Sequence, residues 1–337
     1  MVASLAFFAF GLGYALFSFV IAVVFRDEVL ADMLSTTTSG PVATLWYVGV
    51  SVVLVPVWAV WAELRRGKDV RRAIGNVALV VAAILALHLG FTLFKTTMPA
   101  IVPYYADPYL AAFDAWLHAN SDPWAVINRV VGPETMLGLA PLYHGPWLIA
   151  AFLFPVILVA CDDDEARIKR YFLLYCASWV VIGNVLALGG MSVGPVFFDR
   201  FYDSSRFGLM TLTHRFAGVE STTLGALQEY LWQMSSAGRE SFGTGISAFA
   251  SVHVSVATVV ALYCGERSAL LAVPAALLCG AILLLSIWSG YHYAADGYVS
   301  VGVMALLWAF LRRRFEPADL LPAFRGQVSG DLYRANR

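Results

Sequence analysis

Eight apolar stretches, each close to the length a helix needs to cross a bilayer, dominate this sequence. They run near 4–25, 42–62, 74–94, 137–160, 170–191, 247–264, 268–289 and 291–311. A hydrocarbon core of about 30 Å calls for roughly 20 apolar residues per helix. The chain therefore reads as an all-helical, polytopic membrane bundle of about eight spans. Charged residues make up 13% of it, about half of what a soluble domain carries, and the deficit runs along most of the chain. A net charge of -1 gives no reason to expect nucleic acid. Cys161, Cys176, Cys264 and Cys279 form no closely spaced pair, so they read as small buried hydrophobes rather than a zinc or redox site. No basic region precedes the first apolar run and no cleavage site follows it, so it reads as a retained span.

The connections alternate in charge. Segments 63–73, 161–169, 265–267 and 312–337 fall on one side and hold 14 of the 22 Lys and Arg residues, with Arg170 beside them. The positive-inside rule puts that side, and both termini, in the cytoplasm. Two long segments, about 95–136 and 192–246, face outward. They are rich in aromatics and too polar to span, and are expected to form short interfacial helices that cap a site. Residues 1–76 then form N-terminal spans, 77–311 a membrane core, and 312–337 a basic cytoplasmic tail.

Polar clusters interrupt the apolar pattern on the outward side. Lys95 falls at the outer end of the third stretch, Ser251 and His253 at the outer start of the sixth, and His292 and Asp296 at the outer start of the eighth. Ionisable residues beside a span are costly to bury and are functional candidates by default. His292 and Asp296 are four apart, hence on one helix face. The carboxylate can fix the imidazole tautomer and leave the other ring nitrogen as a nucleophile. His253 can protonate a leaving oxygen. A helix start at Ser251 offers N–H groups to an anion, and Lys95 adds positive charge. Straddling one phosphate requires roughly 5–8 Å between the ring nitrogens of His253 and His292. Asp114, Tyr291 and His144 are further candidates for substrate contact. His88 reads as a core hydrogen-bonding residue, His118 and His214 as surface residues, and 162–165 as a solvated acidic turn.

These residues resemble the type 2 phosphatidic acid phosphatase superfamily, and most closely its inositolphosphotransferase branch, over roughly residues 77–311. Phe94-Lys95-Thr-Thr-Met-Pro99 followed by Asp107-Pro108 and Phe113-Asp114-Ala-Trp-Leu-His118 is similar to that branch's first conserved block. Ala248-Phe249-Ala250-Ser251-Val252-His253 resembles its Ser-x-His block. Tyr291-His292-Tyr-Ala-Ala-Asp296-Gly297 resembles its His-x-x-x-Asp block, and Gly190-Met-Ser-Val-Gly194-Pro195 a turn often found before the second outward segment. The resemblance implies a cofactor-free, metal-independent transfer in two steps. His292 becomes phosphorylated, Asp296 orients it, His253 protonates the departing group, and Ser251 and Lys95 hold the phosphate. The chain departs from the superfamily pattern at Val102 and Ser286, where phosphate-binding arginines stand, and at Ala250, where proline is usual. Arg129, Arg200, Arg206, Arg215 and Arg239 are the outward arginines that could substitute.

The function expected is an integral membrane lipid phosphatase or phosphotransferase. Its substrate is a phospholipid or lipid phosphate. The phospho-head group goes either to water or to a lipid alcohol acceptor. With no eukaryotic sorting signal, the expected setting is a bacterial inner membrane with the site facing the periplasm. The alternative is a non-catalytic lipid-binding or transport protein. The oligomeric state is not legible in the sequence.

Overall fold

A computed structural model describes residues 1–26, 29, 42–237 and 244–315. Among these residues the chain is all helix and irregular connection, with no strand. The long helices are α1 (Val2–Phe25), α2 (Val42–Arg65) and α3 (Val70–Ile101). The short helices α4 (Asp107–Leu117) and α5 (Pro123–Val131) follow. Then come α6 (Pro133–Cys161) and α7 (Glu165–Gly189), two long runs that contain π-helical stretches at Ile149–Leu153 and Ser178–Leu186. The second set of short helices is α8 (Pro195–Tyr202), α9 (Gly208–Phe216) and α10 (Thr223–Ser236). The chain returns through α11 (Val252–Arg267), α12 (Ala269–Trp288) and α13 (Ala294–Phe315).

Six of these helices, α1, α3, α6, α7, α12 and α13, are long and apolar enough to cross a membrane, which makes the chain an integral membrane protein. The other two expected spans correspond to α2 and α11. The stretch expected as a span over 247–264 is helical only from Val252, and α11 runs 16 residues. At 1.5 Å per residue that is about 24 Å, short of a full hydrocarbon core. Residues 244–250 form instead an irregular strap, which carries groups of the site described below.

Local signals set the helix boundaries. Asp69 caps α3 by accepting from the N–H groups of Arg71 and Arg72, and Ser268 caps α12 through Leu270 N–H. Prolines in the first turn start α4, α5, α6 and α8, where a missing N–H costs nothing and φ is already set. Lipid supplies little hydrophobic drive between helices, so small residues that let backbones approach are favoured. The α1–α3 crossing follows this rule. A Cβ on Gly11 would meet the Ala83 carbonyl oxygen at 2.8 Å, and one on Gly90 would meet Ala15 Cα at 2.9 Å. Outward faces stay apolar, as at Leu5, Leu16, Leu270, Leu277, Leu306 and Phe310. The short helices also expose large apolar side chains, among them Tyr109, Trp116, Val130, Leu209 and Phe216, which is the composition interfacial helices carry.

The basic end of the bundle is knotted by buried ion pairs. Arg170 on α7 pairs with Glu266 on α11, and Glu266 also accepts from the Trp308 indole of α13. The solvated turn expected at 162–165 is corrected in part: Asp162 is buried, 1% exposed. Its carboxylate accepts two bonds of 2.6 Å from Arg167 and one of 2.8 Å from Tyr263, with Arg267 at 3.3 Å. Asp163 and Asp164 keep to the surface, where Asp163 pairs with Arg66 and Asp164 caps α7. Burial alone would push the Asp162 carboxyl up, but the hydrogen bonds from Arg167, Asp164 N–H and Tyr263 outweigh it and bring it from 3.8 to about 2. A depressed carboxyl contributes stability that is fully present above its ordinary value and lost as pH falls through the folded value. Thermal unfolding of the solubilised protein should therefore weaken more between pH 5 and pH 2 than that of Asp162→Asn. Parallel loss in both proteins would refute this assignment.

Candidate functional site

Parts of α3, α6, α11 and α13 away from the Asp162–Arg167 cluster converge with the 244–250 strap. Ser251 caps α11, its hydroxyl accepting from Val254 N–H at 3.3 Å, and is fully buried. That cap directs the first turn of α11, and with it His253, toward the loop that precedes α13. The N–H groups of Val252 and His253 have no partner among the described residues, as at any helix start.

His292 is buried, 6% exposed. Its Nδ1 lies 2.7 Å from the Ala248 carbonyl oxygen and 3.4 Å from Asp296 Oδ2. A carbonyl can only accept, so Nδ1 carries a proton, and in the neutral ring Nε2 carries the lone pair. The expectation that Asp296 alone would hold the ring is thus modified: the strap carbonyl makes the shorter contact and the carboxylate sits beside it. Asp296 is itself fully buried, accepts from Tyr293 N–H at 3.0 Å through Oδ2, and leaves Oδ1 without a partner.

His253 stands opposite, its ring centroid 6.1 Å from that of His292. It is sandwiched between two aromatic side chains of α6. Trp147 stacks at 4.0 Å and 27°, and Tyr143 at 4.7 Å and 16°. His144 meets His253 edge-on at 6.5 Å and Tyr291 at 6.1 Å. His144 thus places a third imidazole beside the pair. Lys95 lies within electrostatic range of His253, and its ammonium sits 5.8 Å over the Phe91 ring. Gly245 of the strap, at φ +92°, passes close to the Lys95 and Thr96 side chains.

Asp114 lines a small cleft that touches His292, and backbone groups engage its carboxylate. It is buried, and its two oxygens accept from Ala294 N–H at 2.6 Å and Ala295 N–H at 2.8 Å. It caps the helix that carries Asp296. Asp107 plays the matching part for the 192–194 turn. It accepts from Val193 N–H, Gly194 N–H and the hydroxyls of Tyr293 and Tyr202. Burial pushes both carboxyls above their ordinary value against the pull of these hydrogen bonds. Gly194 adopts φ +86°, and a Cβ there would lie 2.6 Å from the Tyr291 carbonyl oxygen. Only glycine fits that turn against the His292 loop.

His88 is buried and bonds the Ile84 carbonyl through Nδ1 at 2.7 Å. His214, expected at the surface, is buried instead, with Nε2 2.9 Å from the Trp288 carbonyl. Its helix α9 folds back over the end of α12, so an interfacial element covers it. His118 is half-buried between the Asp114 carbonyl and the Tyr298 hydroxyl. Among the outward arginines, Arg200 pairs with Glu229 and Arg206 forks onto Asp122 at 2.5 and 2.7 Å. Arg129 and Arg215 are exposed, and Arg239 lies outside the described residues. Asp122 and Phe207 line the same small cleft, which touches His292 from the side of the surface helices, so Arg206 stands at its rim.

Comparison with protein-family models, with curated proteins and with solved structures finds no match to this chain. The functional reading therefore rests on the geometry of the site. Sequence reasoning missed three contributors: the Ala248 carbonyl, and the aromatic pair Tyr143 and Trp147. A backbone carbonyl has no residue signature. The Tyr-His-x-x-Trp spacing of Tyr143, His144 and Trp147 was visible, but only the fold brings it to His253.

Proposed function

We propose that this protein is a membrane phosphotransferase or phosphatase that acts on a lipid phosphate or phospholipid through a phosphohistidine at His292. The single observation that carries the reading is the hydrogen bond between His292 Nδ1 and the strap carbonyl. That 2.7 Å bond to Ala248 leaves the Nε2 lone pair of the neutral ring beside a second imidazole. In the first step Nε2 forms a bond to phosphorus while the bond from phosphorus to the lipid oxygen breaks, and His253 gives that oxygen a proton. Positive charge that develops on His292 is met by the adjacent Asp296 carboxylate. In the second step water or an alcohol attacks phosphorus, its proton passes to His253, and the N–P bond breaks. The N–H groups at the start of α11 and the Lys95 ammonium suit the transferring anion.

The same reading takes α2 and α11 as the remaining two spans of an eight-helix, phosphatidic acid phosphatase type 2-like core. Both termini are then cytoplasmic and the site opens to the periplasm. Support comes from the gathering of fourteen Lys and Arg residues in four connections on one side. The acceptor separates the two activities. Purified protein should be given a lipid phosphate with and without a lipid alcohol. Free phosphate in both cases identifies a hydrolase, and a new phospholipid formed only with the alcohol identifies a transferase. Absence of both products across the common lipid phosphates and phospholipids overturns the reading.

A further inference from the structure

Among the described residues, three buried polar groups in the aromatic stack that holds His253 lack a hydrogen-bond partner: the Tyr143 hydroxyl, the Tyr291 hydroxyl and the Trp147 indole N–H. Tyr143 and Trp147 stack on the two sides of the imidazole, and Tyr291 stacks on Tyr143 at 5.8 Å and 16°. All three groups can donate. A buried donor left unpaired is costly, and native interiors hold few of them. Phenylalanine would fill the same tyrosine space without that cost, and these groups, unlike the unpartnered ones around His88, stand beside the His253–His292 pair. A ligand that satisfies all three at once must bring several acceptors. It must also suit the positive charge of Lys95, which reaches His253 electrostatically. A phosphoryl group has those properties.

We propose that the hydroxyls of Tyr143 and Tyr291, with Lys95, clamp the phosphoryl group between His253 and His292. This deepens the reading above and rests on it. Neutral hydroxyls held rigid by ring stacking are preorganised donors, and such donors stabilise developing negative charge far better in a water-poor site than in water. The site can thus hold an anion where Val102 and Ser286 offer no guanidinium. Stacking also divides the labour. The rings of Tyr143 and Trp147 orient His253, while the hydroxyls face the ligand, so removing an oxygen leaves the orientation intact.

The test uses full-length protein in nanodiscs and orthovanadate, a phosphoryl transition-state analogue, as probe. Trp147 stacks on His253, so intrinsic tryptophan fluorescence reports the titration. Tyr143→Phe and Tyr291→Phe are each expected to weaken vanadate binding roughly tenfold, the double variant more. Because the hydroxyls act on charge that develops in the transition state, both variants are expected to lower kcat more than they raise KM for the lipid. Because an unpaired buried hydroxyl is removed, the unfolding midpoint without vanadate should stay level or rise. Unchanged vanadate affinity in both single variants overturns the clamp and leaves the hydroxyls as sites for buried water. A fall in unfolding midpoint with vanadate binding retained overturns it too, since the hydroxyls would then be structural. In both cases the phosphohistidine reading stands so long as His292 is still phosphorylated during turnover. If the wild-type protein binds no vanadate and forms no phosphoenzyme, both fall together.

Discussion

Replacing His292 with alanine is expected to reduce turnover of a lipid phosphate by roughly 10⁴-fold or more, the scale at which removal of a nucleophile acts, with the helical fold retained. The fold should survive because the polar contacts of the His292 ring are to the Ala248 carbonyl and to Asp296, and the residue sits in a loop between α12 and α13. The wild-type protein, quenched during turnover, should carry acid-labile phosphate, and His292→Ala should carry none. Asp296→Asn makes a sharper second measurement. The ring tautomer is held by the strap carbonyl as well as by Asp296, so the asparagine variant should still accept phosphate, more slowly. A His292→Ala protein that retains even one-tenth of wild-type turnover would place the chemistry elsewhere. His253→Ala separates the partner role: loss of leaving-group protonation should matter least for substrates whose leaving oxygen is already acidic.

How much of this was legible in the sequence follows from the range of each interaction. Span-length apolar runs and the charge of short connections are local, so the helical membrane class could be read directly. The grouping of Lys95, Ser251, His253, His292 and Asp296 at one end of the bundle needed only the count of crossings, since an even number of crossings between two positions returns the chain to one face. What stayed hidden depends on contacts across long separations. Asp114 reaches Ala294 and Ala295 across 180 residues, and nothing local distinguishes a carboxylate that caps its own helix from one that caps another. The failure at 247–264 is of a different kind. Hydropathy sees Ile246 through Val260 as continuous, whereas the Ala248 carbonyl is taken by His292 and the Ser251 side chain by its own helix start. Competing hydrogen bonds, not polarity, stop the helix there. His214 was misread because a histidine on a short amphipathic helix says nothing about what lies beneath it. Asp162 was misread because four consecutive acids conceal the one whose partners, Arg167, Tyr263 and Arg267, are on other elements or later in the chain.

Asp114→Ala is expected to be the most damaging substitution outside the candidate catalytic set. Its carboxylate satisfies two buried N–H groups at the start of α13, at 2.6 and 2.8 Å, and sits where the helix dipole favours negative charge. Leaving a buried donor unpaired costs roughly 1–3 kcal/mol, so the alanine variant should lose about 3–5 kcal/mol in all, a large share of the 5–15 kcal/mol that native folds hold. Asp114→Asn keeps one acceptor oxygen, so it should recover about half of that loss. The consequence for chemistry follows from position. Asp296 lies on the first turn of α13, and the His292 loop leads directly into it, so freeing that turn lets the His292–Asp296–Ala248 arrangement loosen. Activity in Asp114→Ala should therefore fall at temperatures below its unfolding midpoint, with KM and kcat both affected. Thermal unfolding of the detergent-solubilised variants, read beside turnover at a temperature where each remains folded, measures the two effects separately. An unfolding midpoint unchanged from wild type would mean that water reaches Ala294 and Ala295 and that α13 needs no carboxylate to begin.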